Sequence, residues 1–459
     1  MVRSGRGRAL QFGILGAAAV ALLGLLLWRG TGETTPAATP VVRVIEAPAP
    51  QVLPVQDLAK SDGLTSERAP LATAKGAALP WESGPAEPAQ ASTAPTDESD
   101  DSHPGSRVDE ATLVRLHGNN PLTREHPNVA AAIGIQERNT NWLMAHPAVV
   151  GTGVGLNDEG QIALIVYAKA KAPEIPAVID GLPVVVWQSG VIFAHNRVAA
   201  QDAATPRAKP SAGRPSGPDP KSRFERPVPI GVSTGNPNTP GWITAGTLGA
   251  RVTDGTDVYA LSNNHVYAKE NTASFGEKVI QPGTLDGGVN PYTAGNDVDV
   301  IGTLFAHVPI VFTTTANNTV DAAIALSSTG NLSTATPSNG YGTPKSTPVG
   351  PALNKAVKKY GRTTAQTLGK IAAVNVTVTV NYGEAGSARF VSQFGVTPGK
   401  FSKGGDSGSL IVRNEATSAD HHKPVGLLFA GSPTITFAND IGLVLSSFGL
   451  TFTIDDRQP

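Results

Sequence analysis

From residue 227 to its end the chain is a succession of short β-type runs, each soon broken by Gly, Asn, Pro or Thr. That texture restricts the region to strands joined by turns, an all-β barrel or sandwich. Val374, Val376, Val378, Val380 and Tyr382 alternate with polar residues, the pattern of a half-buried strand. Only the end reads as a helix. There Ile441, Val444, Leu445 and Phe448 fall on one face, with Asp440 as N-cap and Gly449 as the stop. The breaks draw on 50 glycines and 37 prolines in 459 residues, well above ordinary globular usage.

The amino-terminal half is organised differently. Arg3, Arg6 and Arg8 precede an uncharged, mostly apolar run from Ala9 to Trp28. The run is long enough to cross a bilayer as a helix and exceeds the usual core of a cleaved signal. Residues 1–30 are therefore expected to be a signal-anchor that keeps its arginines inside, a cleaved secretion signal being the alternative. Either way the remainder is exported, to the periplasm or the extracellular space. Thr31 to Gly105 carries 11 prolines in 75 residues and no sustained apolar period, so 31–117 reads as a disordered Pro/Ala-rich tether.

A small α/β domain is expected over 118–200. It comprises a helix from His126 to His146, with Pro127 in its first turn, and strands at Val149–Leu156, Gln161–Lys169 and Leu182–Trp187. The middle strand is apolar on both faces and should be buried. Gly151-Thr152-Gly153-Val154-Gly155 tempts a dinucleotide-binding reading, but that fingerprint needs a helix next. Here Asn157-Asp158-Glu159-Gly160 is a turn into another strand, so a hairpin is expected. A Pro/Gly/Lys/Arg-rich linker, 201–226, precedes the β-rich region.

Composition removes several function classes. With no cysteine, disulfide frameworks, thiolate metal sites and a cysteine nucleophile are excluded. Thirty-six basic residues against 37 acidic ones give nucleic-acid binding no electrostatic support.

The chemistry is sought in Gly404-Gly405-Asp406-Ser407-Gly408-Ser409, ahead of the apolar run Leu410-Ile411-Val412. Flanking glycines let the backbone turn so that a serine hydroxyl is presented and neighbouring amides converge. The same tetrapeptide also suits a plain turn. A serine needs a base. Of nine histidines, His103 and His117 lie in or beside the tether, and His126, His146 and His195 lie in the α/β unit. His307 reads as a half-exposed sheet residue, and His421 and His422 as a solvated turn. His265 differs, because it sits at the exit of the strand ending Tyr259-Ala260-Leu261. Asp321 opens an otherwise apolar run, where an acid is either paired or functional. Asp297 and Asp299 are rivals in a Gly/Asn-rich loop that looks solvent-facing.

Leu261-Ser262-Asn263-Asn264-His265-Val266, Val320-Asp321-Ala322-Ala323-Ile324-Ala325 and Gly405-Asp406-Ser407-Gly408, in that order, resemble the signature blocks of the trypsin/chymotrypsin-like serine peptidases, in particular a bacterial, disulfide-free branch. Tyr360-Gly361-Arg362-Thr363-Thr364 resembles the opening of the second barrel in bacterial members. The resemblance covers about 228–457 and implies a mainly β, double β-barrel peptidase domain of chymotrypsin type over 227–459, closed by the C-terminal helix. It implies a polypeptide substrate, no cofactor and no metal. His265 is implied as base, Asp321 as its orienting acid, Ser407 as nucleophile, and the Gly405 and Ser407 amides as oxyanion donors. Phe429, Ala430 and Gly431 are implied to pair with the substrate backbone. Phe401, six residues before Ser407, is implied at the base of the specificity pocket, which favours small or medium apolar side chains. Two departures stand out. Ser409 replaces a usual glycine, and Arg226-Pro227-Val228-Pro229 offers no neo-N-terminus to pair with Asp406. A protease-like module that binds peptides without turnover is the alternative, and the 118–200 unit is a candidate intramolecular regulator.

Overall fold

Every residue of the strand Ile162–Ala168 is buried: Leu164 and Val166 enter one apolar cluster, Ala163, Ile165 and Tyr167 enter another, and strands flank both edges. The computed structural model describes residues 103–171, 175–194, 197–199, 217–239 and 242–457. In it Ile162–Ala168 pairs antiparallel with Val149–Leu156 and parallel with Leu182–Gln188. The hairpin expected around Asn157 is present. Val149–Leu156 pairs in turn with the long strand Ala365–Asn381, Gly151 opposite Val378 and Gly155 opposite Ala373.

The outcome is a ten-stranded sheet. Six of its strands follow in the order Ala356–Gly361, Leu410–Arg413, Pro424–Gly431, Thr436–Asp440, Ser387–Thr397 and Ala365–Asn381. Because the first also pairs with the last, these six close into a ring. A separate six-stranded sheet runs Lys278–Ile280, Val300–His307, Ala323–Ser327, Val258–Ser262, Ala250–Thr253, Thr453–Ile454. The described chain is mainly β with few helices.

The 118–200 segment does not keep a core to itself, contrary to the expectation of a separate α/β unit. Leu143, Leu164 and Val166 belong to one apolar cluster with Phe394, Val396 and Phe401. The Gly151–Gly155 run explains the intimacy. A Cβ on Gly151 would stand 2.5 Å from the Thr377 carbonyl oxygen, and one on Gly155 would stand 2.7 Å from that of Ala372. The glycines serve close backbone approach between strands.

The helix Pro127–Met144 lies over the same long strand. Asn375 Nδ2 donates to Gln136 Oε1 at 2.7 Å, and Gln136 Nε2 to Thr152 Oγ1 at 3.0 Å. Asn375 and Thr377 are thereby buried, so the strand expected to be half-buried is covered on its polar side too. The Asn375 amide tolerates burial because Gln136 supplies a partner. The closing helix Ile441–Phe448 forms as its sequence indicates, Asp440 Oδ1 accepting from the Gly442 amide at 2.8 Å.

Two expected boundaries move. Within the 31–117 tether, residues 103–117 are folded: Val108 and Leu113 are buried, and Glu110–His117 is a helix capped by Asp109. Of the 201–226 linker, 217–226 packs on the six-stranded sheet, Arg223 Nη2 donating to Asp299 Oδ2 at 2.6 Å. The run Ala9–Trp28 lies outside the described residues, among which no helix is long and apolar enough to cross a membrane.

Candidate active site

Strands Val258–Ser262 and Ala323–Ser327 pair with Ser262 opposite Ala323. Residues just past the first and just before the second are therefore brought together. A one-turn helix, Asn264–Tyr267, follows the first strand and carries His265, 1% exposed. Asp321 precedes the second and is fully buried. His265 Nδ1 lies 2.5 Å from Asp321 Oδ2, and the His265 amide donates to Oδ1 at 3.2 Å. The Asp321 backbone is pinned separately: its amide donates to Asn439 Oδ1 at 3.1 Å, and its carbonyl accepts from Asn263 Nδ2 at 2.7 Å.

Ser407 arrives from the closed ring of strands, in the loop before Leu410–Arg413. Gly405 and Gly408 both take φ of +93°, a left-handed turn that favours glycine. Thr247 ties this loop to the strand that leads to His265. Its amide donates to the Ser407 carbonyl at 2.8 Å, its hydroxyl donates to the Gly405 carbonyl at 2.9 Å, and its carbonyl accepts from Ser262 Oγ at 2.8 Å. Gly246 is so closely flanked that a Cβ there would meet Val266 at 2.6 Å and the Ser407 carbonyl at 3.2 Å. Among the described residues Ser407 Oγ has one hydrogen-bond contact, a long one of 3.5 Å to the Phe429 carbonyl. Among the described residues the Gly405 and Ser407 amides find no acceptor.

The acid between those amides is held internally. Asp406 Oδ1 accepts from the amides of Thr363 and Thr364 at 2.8 and 3.2 Å, and Oδ2 accepts from Thr364 Oγ1 at 2.7 Å and the Lys403 amide at 3.0 Å. Lys359 Nζ, fully buried, stands 3.6 Å away. Burial pulls the Lys359 pKa below the usual lysine range, and the Asp406 charge works against that pull. Arg362, beside these threonines, turns instead to Asp286 with two contacts of 2.6 Å.

Beside Ser407 opens a cavity of about 390 Å³ walled by Phe193, Leu428, Ala430, Gly431 and Pro433, with Ser402, Lys403 and Ser432 as its polar members. Of the residues the sequence nominates for substrate, Ala430 and Gly431 line it. Phe401 does not. It is fully buried in the core, covering Gly369, with Lys359 Nζ 5.9 Å from its ring centroid. Phe429 packs inward on Phe390, ring centroids 4.8 Å apart, and offers only its carbonyl. Asp299, expected to face solvent, is buried on Arg223, whereas Asp297 is exposed and pairs with Lys278. His307 is half-buried and its Nδ1 lies 3.2 Å from Asn264 Nδ2.

Three contributors escape a sequence reading. Tyr382 Oη donates to Asp321 Oδ2 at 2.9 Å. Lys359 reaches Asp406. The segment after Leu182–Gln188 lies on the edge assigned to substrate: Phe193 and Gly431 each donate their amide to the other's carbonyl at 3.0 Å. On its far side Asn381 donates to Ile192 and accepts from Ala194, at 2.9 and 3.1 Å. Three residues after Ala194, Arg197–Ala199 pairs antiparallel with Trp242–Thr244. Among the described residues no group of three or more metal-ligating side chains stands together.

No protein-family model and no curated protein matches the chain. Solved structures that resemble it are bacterial serine proteases. Thermobifida fusca protease A is 17% identical over 50% of this chain and 99% of its own, with a TM-score of 0.34. Cellulomonas bogoriensis chymotrypsin is 16% identical over 51% and 100%, with a TM-score of 0.32. Nocardiopsis protease is 16% identical over 50% and 98%, with a TM-score of 0.33. At these TM-scores the likeness adds nothing to the chemistry read from the residues.

Proposed function

We propose that this chain is a serine endopeptidase whose two β systems form a double barrel of chymotrypsin type. The observation that carries the reading is the buried 2.5 Å contact between His265 and Asp321, together with the Thr247 bonds that fix the Ser407 loop to the same strand end. Ser407 Oγ attacks the scissile carbonyl carbon while His265 Nε2 takes its proton, and Asp321 holds the imidazole in register through Nδ1. Charge that develops on the carbonyl oxygen is met by the Gly405 and Ser407 amides. His265 then protonates the leaving amine, and water repeats the sequence on the acyl-enzyme. The decisive experiment is labelling of the full chain by a fluorophosphonate probe. Reaction at Ser407 that is lost in His265→Ala supports the peptidase; a folded chain that stays unlabelled but binds peptides favours the non-catalytic module.

We also propose that the 118–200 segment regulates this site, because Phe193 holds the Gly431 edge that an extended substrate would use. For localisation the proposal rests on sequence alone. With Arg3, Arg6 and Arg8 ahead of an apolar run, the chain is exported and held by residues 1–30. It should then stay in the membrane fraction after alkaline carbonate washing, and a soluble chain starting beyond residue 28 would identify a cleaved signal instead.

A further inference from the structure

Asp321 is fully buried, and its carboxylate has three hydrogen-bond partners: the His265 amide on Oδ1, and His265 Nδ1 together with the Tyr382 hydroxyl on Oδ2. Tyr382 is thus the one side chain besides His265 that hydrogen-bonds to this carboxylate among the described residues. It reaches the site from the end of Ala365–Asn381, in the other sheet from His265 and Asp321. Its ring is held edge-on by Phe312 at 5.4 Å and stands edge-on to the His265 imidazole at 5.8 Å.

From this arrangement we infer that Tyr382 is a positioning residue for the proposed reaction, fixing the Asp321 carboxylate so that Oδ2 stays aimed at His265 Nδ1. The inference rests on the peptidase reading of the site. Held by His265 alone, through its amide and its imidazole, the carboxylate can still shift together with that residue, taking the base out of line with Ser407. A second donor on the same oxygen, carried by a buried ring packed against Phe312, restricts that freedom. Tyr382 must act as the donor, because burial and the Asp321 charge push its pKa well above the usual tyrosine value and keep the hydroxyl protonated. A hydrogen bond to a buried charge is among the stronger ones, so its loss should be felt in the chemical step.

Tyr382→Phe deletes only the oxygen. It should lower kcat about ten- to hundredfold and leave KM within about twofold, because the hydroxyl touches Asp321 and not the substrate. In an Asp321→Ala background the same change should cost nothing further, which a merely structural role for the ring would not reproduce. Tyr167→Phe is the folding control: that hydroxyl is buried, has no hydrogen-bond partner among the described residues and lies outside the site. A readout independent of turnover is the low-field proton resonance of the His265–Asp321 hydrogen bond, which should move in Tyr382→Phe and stay in place in Tyr167→Phe. Unlabelled wild-type Ser407 would sink the peptidase reading but leave that resonance to decide on Tyr382. An unmoved resonance, or an equal loss of kcat in the Asp321→Ala background, overturns the inference.

Discussion

Phe193 and Gly431 exchange both of their backbone hydrogen bonds, each 3.0 Å long, so a piece of this chain already occupies the strand edge beside Ser407. An incoming peptide has to displace it, and a tethered competitor acts at an effective concentration in the millimolar range. Phe193→Pro removes one donor and blocks close pairing. It is expected to raise the initial rate on a peptide substrate roughly fivefold or more, given about 1 kcal/mol per hydrogen bond. Progress curves for the two full-length proteins check this, and an unchanged or lower rate contradicts the regulatory role.

Asp406 and Lys359 are both fully buried. Removing the cation in Lys359→Met leaves a buried carboxylate supported by hydrogen bonds alone. A loss of about 3 kcal/mol in unfolding free energy is expected, measurable by chemical denaturation. The double variant Lys359→Met/Asp406→Asn should recover part of it; recovery of nothing would mean that the charge pair is not what the single variant breaks.

His422 supplies a pH signature. Burial, with Lys358, His421 and Lys345 nearby, lowers its pKa to about 4 from an ordinary 6.5. The unfolded chain therefore takes up this proton first, and stability falls as pH drops from 6.5 towards 4. The residue sits at φ 65°, which asparagine tolerates. His422→Asn should raise the melting temperature at pH 5 relative to wild type and leave it nearly unchanged at pH 7.5. Equal shifts at both pH values would rule out titration as the cause.

Substrate preference follows from the cavity beside Ser407. With Phe193 displaced, its walls among the described residues are Leu428, Ala430 and Pro433, its one charged member there is Lys403, and none of those residues is a carboxylate. A buried substrate cation would go uncompensated there. Small or medium apolar residues before the scissile bond are expected to be preferred, with poor cleavage after Lys or Arg. Peptide-library profiling measures this directly, and dominant cleavage after a basic residue would refute it.

Local signals carried far in this chain. Pro127 at the start and the apolar spacing of Ile441 to Phe448 located two of the described helices, though not Glu110–His117, and Val149–Leu156 falls where its composition puts it. His265 stood out at a strand exit, Asp321 as an acid opening an apolar run, and Ser407 in a glycine turn. Pairing over long separations was not legible. The apolar faces of Val149–Leu156 announce burial but do not name Ala365–Asn381 as the neighbour. Phe401 shows the same limit: its place six residues before Ser407 implied the base of the specificity pocket, whereas it is buried against Gly369 and Lys359. Tyr382 looked like the last apolar position of a strand because its hydroxyl partner lies 61 residues away in sequence.

The seam at Gly151, Gly153 and Gly155 has a bearing on what happens if the amino-terminal segment is lost. Val149–Leu156 is what covers the outer edge of Ala365–Asn381. Stripped of it, that strand would present a row of unsatisfied amides and carbonyls, a template for aggregation or for swapping strands with another molecule. A chain freed of its amino-terminal part would thus trade an occupied cleft for an adhesive flank.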